Sequence, residues 1–196
     1  MIKELWDKNI KLHLRLLTQT DLDKFCNKYF DATSVIFYGN VRGYGGIDFK
    51  GLSQLSLKTI VFDDSLNQDQ FMQICHLVNL ENLALNHVGK ISDLSPISNL
   101  KSLRLLSLST PTGWITKVHH FENFKPIGTL NKLNKISLIG VVADDNDFSI
   151  LNKLPKLEEI YASRKYDKAI LKMNINDDCR RYILKAQSEL AHLRYH

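Results

Sequence analysis

A long-period leucine pattern constrains this chain more than any other feature. Leu80, Leu83 and Leu85 recur as Leu103, Leu106 and Leu108, each shifted by 23 positions. The unit LxxLxL returns as Leu133, Ile136, Leu138 and as Leu157, Ile160, Ala162. Upstream, Leu57, Ile60 and Phe62 fit it, with weaker copies at Ala32, Val35, Phe37 and at Leu12 with Leu14. The middle position falls at 35, 60, 83, 106, 136 and 160, so the steps are 25, 23, 23, 30 and 24. A repeat of this length makes one supersecondary unit that cannot bury its apolar face alone, so neighbours must stack. In "LAL" or "LSL" the outer two side chains point to one face and the middle one to the other. The apolar pair is expected in the core of a parallel sheet. The small or polar middle residue is expected to face solvent.

The segments between the strands carry helical signals. "TDLDKFCNKYF" spaces Leu22, Phe25, Cys26 and Tyr29 for a helix behind a Thr20 cap. "NQDQFMQICHL" does the same behind Asn67, and "DNDFSILNKL" behind Asp147 with Phe148, Leu151 and Leu154. The last segment, "NDDCRRYILKAQSELAHLRYH", reads as an amphipathic helix with Cys179, Tyr182, Ile183, Ala186, Leu190 and Leu193 on one face. Terminal repeats need a cap with a polar outer face, and this helix would supply one. "AILKMNIN" before it reads as an extra strand. "MIKELWDKNIKLHLRLL" would cap the other end, with Trp6 closing the core.

The segment "LVNLENLALNHVGKISDLSPISNLKSL" resembles bacterial leucine-rich repeats of the internalin-like type, in its LxxLxxLxL run, isoleucine-aspartate turn and "SPI" return. The likeness is strongest over 77–109 and extends over 57–163. It implies an α/β leucine-rich-repeat solenoid, with a parallel sheet on the concave face, short helices on the convex face and a C-terminal helical cap. One domain, 1–196, is expected: 1–31 as N-terminal cap and first irregular repeat, 32–163 as repeats and 164–196 as C-terminal cap. An asparagine ladder three positions beyond the last strand leucine usually accompanies these repeats. Here those positions hold Val88, Pro111, Val141 and Lys165, and only Asn40 fits. Looser, partly helical returns are expected in its place.

Composition narrows the function. Apolar residues make up 44% and charged residues 24% of the 196, as in ordinary globular proteins. No apolar run reaches the roughly 20 residues that cross a bilayer, and the first residues lack an apolar signal core. Three separated cysteines, Cys26, Cys75 and Cys179, read as buried free thiols in a reducing compartment. A cytoplasmic location is therefore expected. The net charge of +5 is uneven: residues 51–100 carry two basic and five acidic side chains, and residues 151–196 ten basic and six acidic. A basic tail of this kind is more simply a solvated cap than a nucleic-acid site.

Motifs for chemistry are thin. "GNVRGYGG", residues 39–46, lacks the lysine and hydroxyl residue of a phosphate-binding loop and reads as a turn. Adjacent His119 and His120 would point to opposite faces of a strand, and there is no CxxC or HExxH, so no metal site is expected. Asp144, Asp145 and Asp147 lack the glycine and glutamate of a calcium loop and suit helix capping instead. Ser107, Ser109 and Ser137 have no histidine and carboxylate at recognisable spacing. No cofactor and no catalytic group are expected.

The step of 30 marks about seven residues added within "TPTGWITKVHHFENFKPIGT". Insertions in repeat arrays often lie on the binding face. Phe121 and Phe124 are expected to pack as this repeat's return, at least one of them, leaving Trp114, His119 and His120 for contact. With Tyr38, Asp63, Asp64, Asn86, His87, Tyr161 and Arg164 they form the expected partner-binding set. This points to a non-enzymatic, monomeric module that binds another protein. By resemblance and size, the specific expectation is an immunity protein that neutralises a toxin domain. The alternative is a scaffolding or effector protein acting on a host or signalling partner.

Overall fold

A computed structural model describes residues 12–39, 43–110, 118–163 and 180–184, with only the backbone given for 163 and 180–184. The repeating triplets become strands. They are β1 (His13–Arg15), β2 (Ser34–Tyr38), β3 (Thr59–Phe62), β4 (Asn82–Leu85), β5 (Leu105–Ser109), β7 (Lys135–Ile139), β9 (Glu159–Ser163) and β10 (Arg180–Leu184). They pair in chain order in one parallel sheet. Two further strands, β6 (His119–Phe121) and β8 (Val141–Ala143), pair with each other alone.

The register follows the sequence period. Leu14, Phe37, Phe62, Leu85, Leu108, Leu138 and Ala162 form one continuous row. Val35, Ile60, Leu83, Leu106, Ile136 and Ile160 form the other. All except the half-buried Leu14 are at most 1% exposed. The side-chain period of a strand is two, so a slip of one residue would turn both rows out of the core. Burial of these rows locks the register. Backbone bonds lock it again where each strand begins. The carbonyls of Thr33, Lys58, Glu81, Arg104 and Asn134 each accept two consecutive amides from the next repeat, as Lys58 does from Glu81 and Asn82 at 2.8 and 2.9 Å.

Among the described residues the returns are α-helical at two places and 3-10 elsewhere. The first is a full helix, α1 (Gln19–Lys28), and the third is α2 (Gln68–Ile74). The others are 3-10 turns at Phe49–Gln54, Ser95–Asn99, Ile127–Thr129 and Ser149–Lys153. α1 begins two residues earlier than its sequence suggests, because Thr18, not Thr20, is the cap. The Thr18 hydroxyl accepts from the Asp21 amide, and the Asp21 carboxylate accepts from the Leu17 and Thr18 amides at 3.0 and 2.9 Å. Asn67 caps α2 as expected, with Gln70 completing the reciprocal pair. The expected helix behind Asp147 is a 3-10 turn with Phe148 at its cap position. Asp147 still accepts the Ser149 amide at 2.8 Å.

Glutamines hold neighbouring returns together where an asparagine ladder was missing. Gln19 both donates to and accepts from Asp48 backbone. Gln73 accepts the Phe49 amide at 2.7 Å, and Gln70 donates to the Gly45 and Ile47 carbonyls. Gln68 accepts the Ser92 and Asp93 amides and donates to the Asp93 carbonyl.

Two expectations fail. Within the helix expected over 176–196, the described part, Arg180–Leu184, is a strand running parallel to β9, and the rest lies outside the described residues. Without this strand the β9 edge would present unpaired amides and carbonyls, and satisfying them outweighs a helical spacing that Tyr and Ile also suit as strand formers. The middle residues of the triplets do not face solvent. Ile36, Val61, Ala84, Ser107, Ser137 and Tyr161 are each 5% exposed or less. Ile36, Val61 and Ala84 make a second apolar cluster, with Tyr38 packed on it. Parallel strands lie about 4.8 Å apart, so short side chains in this row are walled in by longer ones beside them. The Ser137 hydroxyl is buried there with no hydrogen-bond partner among the described residues. Trp6 and the "AILKMNIN" segment lie outside the described residues.

Candidate protein-binding surface

With the middle row buried from β2 to β9, the exposed side chains of these strands lie at the two edges of the sheet. At the C-terminal edge, one register row runs Arg15, Tyr38, Asp63, Asn86 and Ser109 along β1 to β5 and the residues that follow β3 and β4. Arg15 is exposed, Tyr38 and Asp63 half-buried and Asn86 buried. The tyrosine ring stacks on His13 at 5.9 Å, with its hydroxyl 3.1 Å from His13 Nδ1. Burial, and then the Asp63 carboxylate, push the Tyr38 pKa up, so the hydroxyl stays protonated as a donor. Asp63 accepts from the Asn86 side-chain amide at 2.9 Å, and Asn86 accepts through its own carbonyl from Ser109. Asp64 accepts the Gly39 amide at 2.8 Å, which closes the turn after β2. His87 follows, half-buried, on the same edge.

The aromatic insertion is now placed. The step from Leu106 to Ile136 is 30, but that from His119 to Val141 is 22. The extra residues therefore lie between β5 and β6, at 110–118, where Gly140 alone joins β7 to β8. That joint needs glycine: φ is +68°, and an added Cβ would sit 2.0 Å from Thr110 Oγ1. Phe121 and Phe124 are both buried, at 1% and 0% exposed, as the return of this repeat. His119 and His120 do point to opposite sides. His119 Nε2 lies 2.6 Å from the Ile91 carbonyl and its ring stands edge-on to Phe121. His120 is exposed and pairs with Asp144 at 2.7 Å.

Of the expected binding residues, Trp114 and Arg164 lie outside the described residues. Tyr161 is 5% exposed, and its hydroxyl donates to Glu159. β1 also contributes two residues absent from the expected set, Arg15 in the edge row and His13 beside Ile36, stacked on Tyr38. Their alternation with Leu12, Leu14 and Leu16 in "LHLRL" was the signal. Tyr44 was missed as well. It lies in the glycine-rich stretch, is 2% exposed, and donates its hydroxyl to the Phe37 carbonyl at 2.6 Å. That stretch is thus a corner fastened to the core.

Other chemistry is sparse. Cys75 is buried and Cys26 half-buried, both as free thiols, and burial pushes both pKa values up, aided at Cys26 by Asp23. Thiols of this kind stay protonated and unreactive. Among the described residues no three His, Cys, Asp or Glu side chains converge as a metal site, and no helix is long and apolar enough to cross a membrane.

No family model and no curated protein matches the chain. Among solved structures, it is similar to an internalin C2 from Listeria monocytogenes str. 4b F2365. The two are 19% identical with a TM-score of 0.54, over 88% of this chain and 71% of that one. A likeness at this identity is one of fold. Together with the parallel sheet and short helical returns, it gives this chain an α/β fold of the leucine-rich-repeat-like type.

Proposed function

We propose that this chain is a non-enzymatic module that binds another protein along the C-terminal edge of its sheet. One observation carries the reading. The added segment at 110–118 leaves from the end of β5, on the edge where Tyr38, Asp63, Asp64 and His87 follow one another on β2 to β4. An insertion that departs from the same edge as a half-buried tyrosine and two carboxylates suits the aromatic core and polar rim of a protein interface. The buried middle row supports an edge contact over one across the whole sheet face. Tyr38 and Trp114 are the anchors in this reading, Asp63 and Asp64 face basic groups of the partner, and Asn86 holds Asp63 from the next repeat.

The test begins with co-purification and identification of the partner. Its affinity is then measured for the Tyr38→Ala/Trp114→Ala double variant. Loss of anchors should weaken binding at least tenfold, or about 1.4 kcal/mol, with little change in melting temperature. Unchanged affinity sinks the edge reading. A captured toxin domain whose activity the chain blocks would give the immunity-protein role expected by resemblance. A captured host or signalling protein would give the adaptor or effector role.

A further inference from the structure

The opposite, N-terminal edge of the sheet carries a second feature, independent of the surface proposed above. Its residues are equivalent from repeat to repeat, because Lys58, Glu81, Arg104 and Asn134 each offer the carbonyl that holds two amides of the next repeat. In the first half of the sheet one carboxylate on this edge bridges two cations. Glu81 lies 3.2 Å from Lys58 and 3.5 Å from Arg104, one cation on either side.

In the second half Lys135 pairs with Glu159 at 3.5 Å, and two further lysines precede these strands. Lys132 and Lys156 occupy the same position in successive turns, two residues ahead of Asn134 and Glu158. Both are exposed, and among the described residues neither makes a hydrogen bond or ion pair. With Arg104, Asn134, Pro155 and Glu158 they line one open groove of about 530 Å³. The Arg104 side chain remains 61% exposed beside its Glu81 contact. Three cations from three adjacent repeats thus face one concavity, with Glu158 as the carboxylate among its lining residues. Like charges held one strand spacing apart raise a positive potential that an anionic group relieves.

We infer that this groove docks an acidic, extended segment of a partner protein. The cations lie across two strand steps, roughly 10 Å, which three or four residues of extended chain span. The Arg104 guanidinium and the Asn134 amide offer planar hydrogen-bonding groups for carboxylates and backbone. A single-stranded nucleic acid would call for aromatic platforms, and among the described residues none lines the groove.

Fluorescence anisotropy of labelled hexaglutamate titrated with the full chain at low salt tests this directly. The Lys132→Glu/Lys156→Glu double variant should lose at least tenfold in affinity. A control with the same charge change elsewhere, Lys24→Glu/Lys125→Glu, should stay within twofold, and circular dichroism should match across all three proteins. Failure of hexaglutamate to bind overturns the inference. So does an equal loss in both variants, which means bulk charge alone. Tighter binding of labelled decathymidylate, lost in the Lys132→Glu/Lys156→Glu variant, overturns it in favour of nucleic acid. Self-association that this variant abolishes overturns it in favour of a second copy of the chain.

Discussion

One hydroxyl, that of Tyr44, joins two repeats. It donates to the Phe37 carbonyl at 2.6 Å and accepts from the Asp64 amide at 3.4 Å. The ring stands edge-on to Phe49 and Phe62 in the core. Tyr44→Phe keeps the ring and removes the bridge, leaving the Phe37 carbonyl with the Asp63 amide at 3.0 Å as its remaining donor. The expected cost is about 1–3 kcal/mol, read as a lower urea midpoint; an unchanged midpoint would mean that water takes over the hydroxyl's place. At this scale the sequence was legible wherever the signal was hydrophobic and periodic. Leu83, Leu106 and Ile136 announce their own row. Tyr44 and the glutamines Gln19, Gln68, Gln70 and Gln73 do not, because a side chain that bonds the backbone of the next repeat leaves no period of its own.

At the scale of single elements, caps decide where helices begin. The Asp21 carboxyl is held below the usual carboxylate range, first by the Leu17 and Thr18 amides and then by the Thr18 hydroxyl. Its folded pKa is thus lower than its unfolded one. The stabilisation is present above the ordinary carboxylate range and is lost as pH falls through the folded value. Asp48 and Asp147, lowered chiefly by bonds from Lys50 and Ser149, act in the same direction. Melting temperature should therefore fall on acidification below the ordinary carboxylate range. Asp21→Asn should start lower at neutral pH and fall less; an acid slope equal to that of the parent would remove Asp21 from the account. The cap of α2 was legible because Asn67 and Gln70 are the sole suitable pair there. At α1, Thr18 and Thr20 each have an aspartate three residues on, Asp21 and Asp23, so spacing alone does not choose between them. The strand at Arg180–Leu184 was illegible for a different reason: its helical spacing is genuine, and the open edge of β9 overrides it.

For the molecule as a whole, stability rests on continuity of the two buried rows. Leu108 sits inside one of them, between Leu85 and Leu138, and is 0% exposed. Leu108→Ala should cost about 2–5 kcal/mol, a large part of the 5–15 kcal/mol typical of a domain. Chemical denaturation reads this as a lowered midpoint, and an unmoved midpoint would contradict the stacked core. The order of strands in the sheet was legible as a whole, since parallel units with one period have a single way to stack. The closure of the middle row was not. Ile36 and Val61 look like ordinary strand residues, and their burial depends on what stands beside them in three dimensions.

The doubled amide contacts on the Thr33, Lys58, Glu81, Arg104 and Asn134 carbonyls also set where such a chain tolerates a change of length. A residue added just ahead of a strand would offer the wrong amides to the carbonyl and turn the buried side chains of that strand outward. The far end of each strand carries no such constraint, and the surplus between Ser109 and His119 sits there. Lineages that diversify this architecture should accordingly gain and lose residues on one side of the sheet while the other side keeps its count. A foreign epitope grafted after Thr110 should leave the fold intact, whereas the same epitope placed before Leu105 should abolish it.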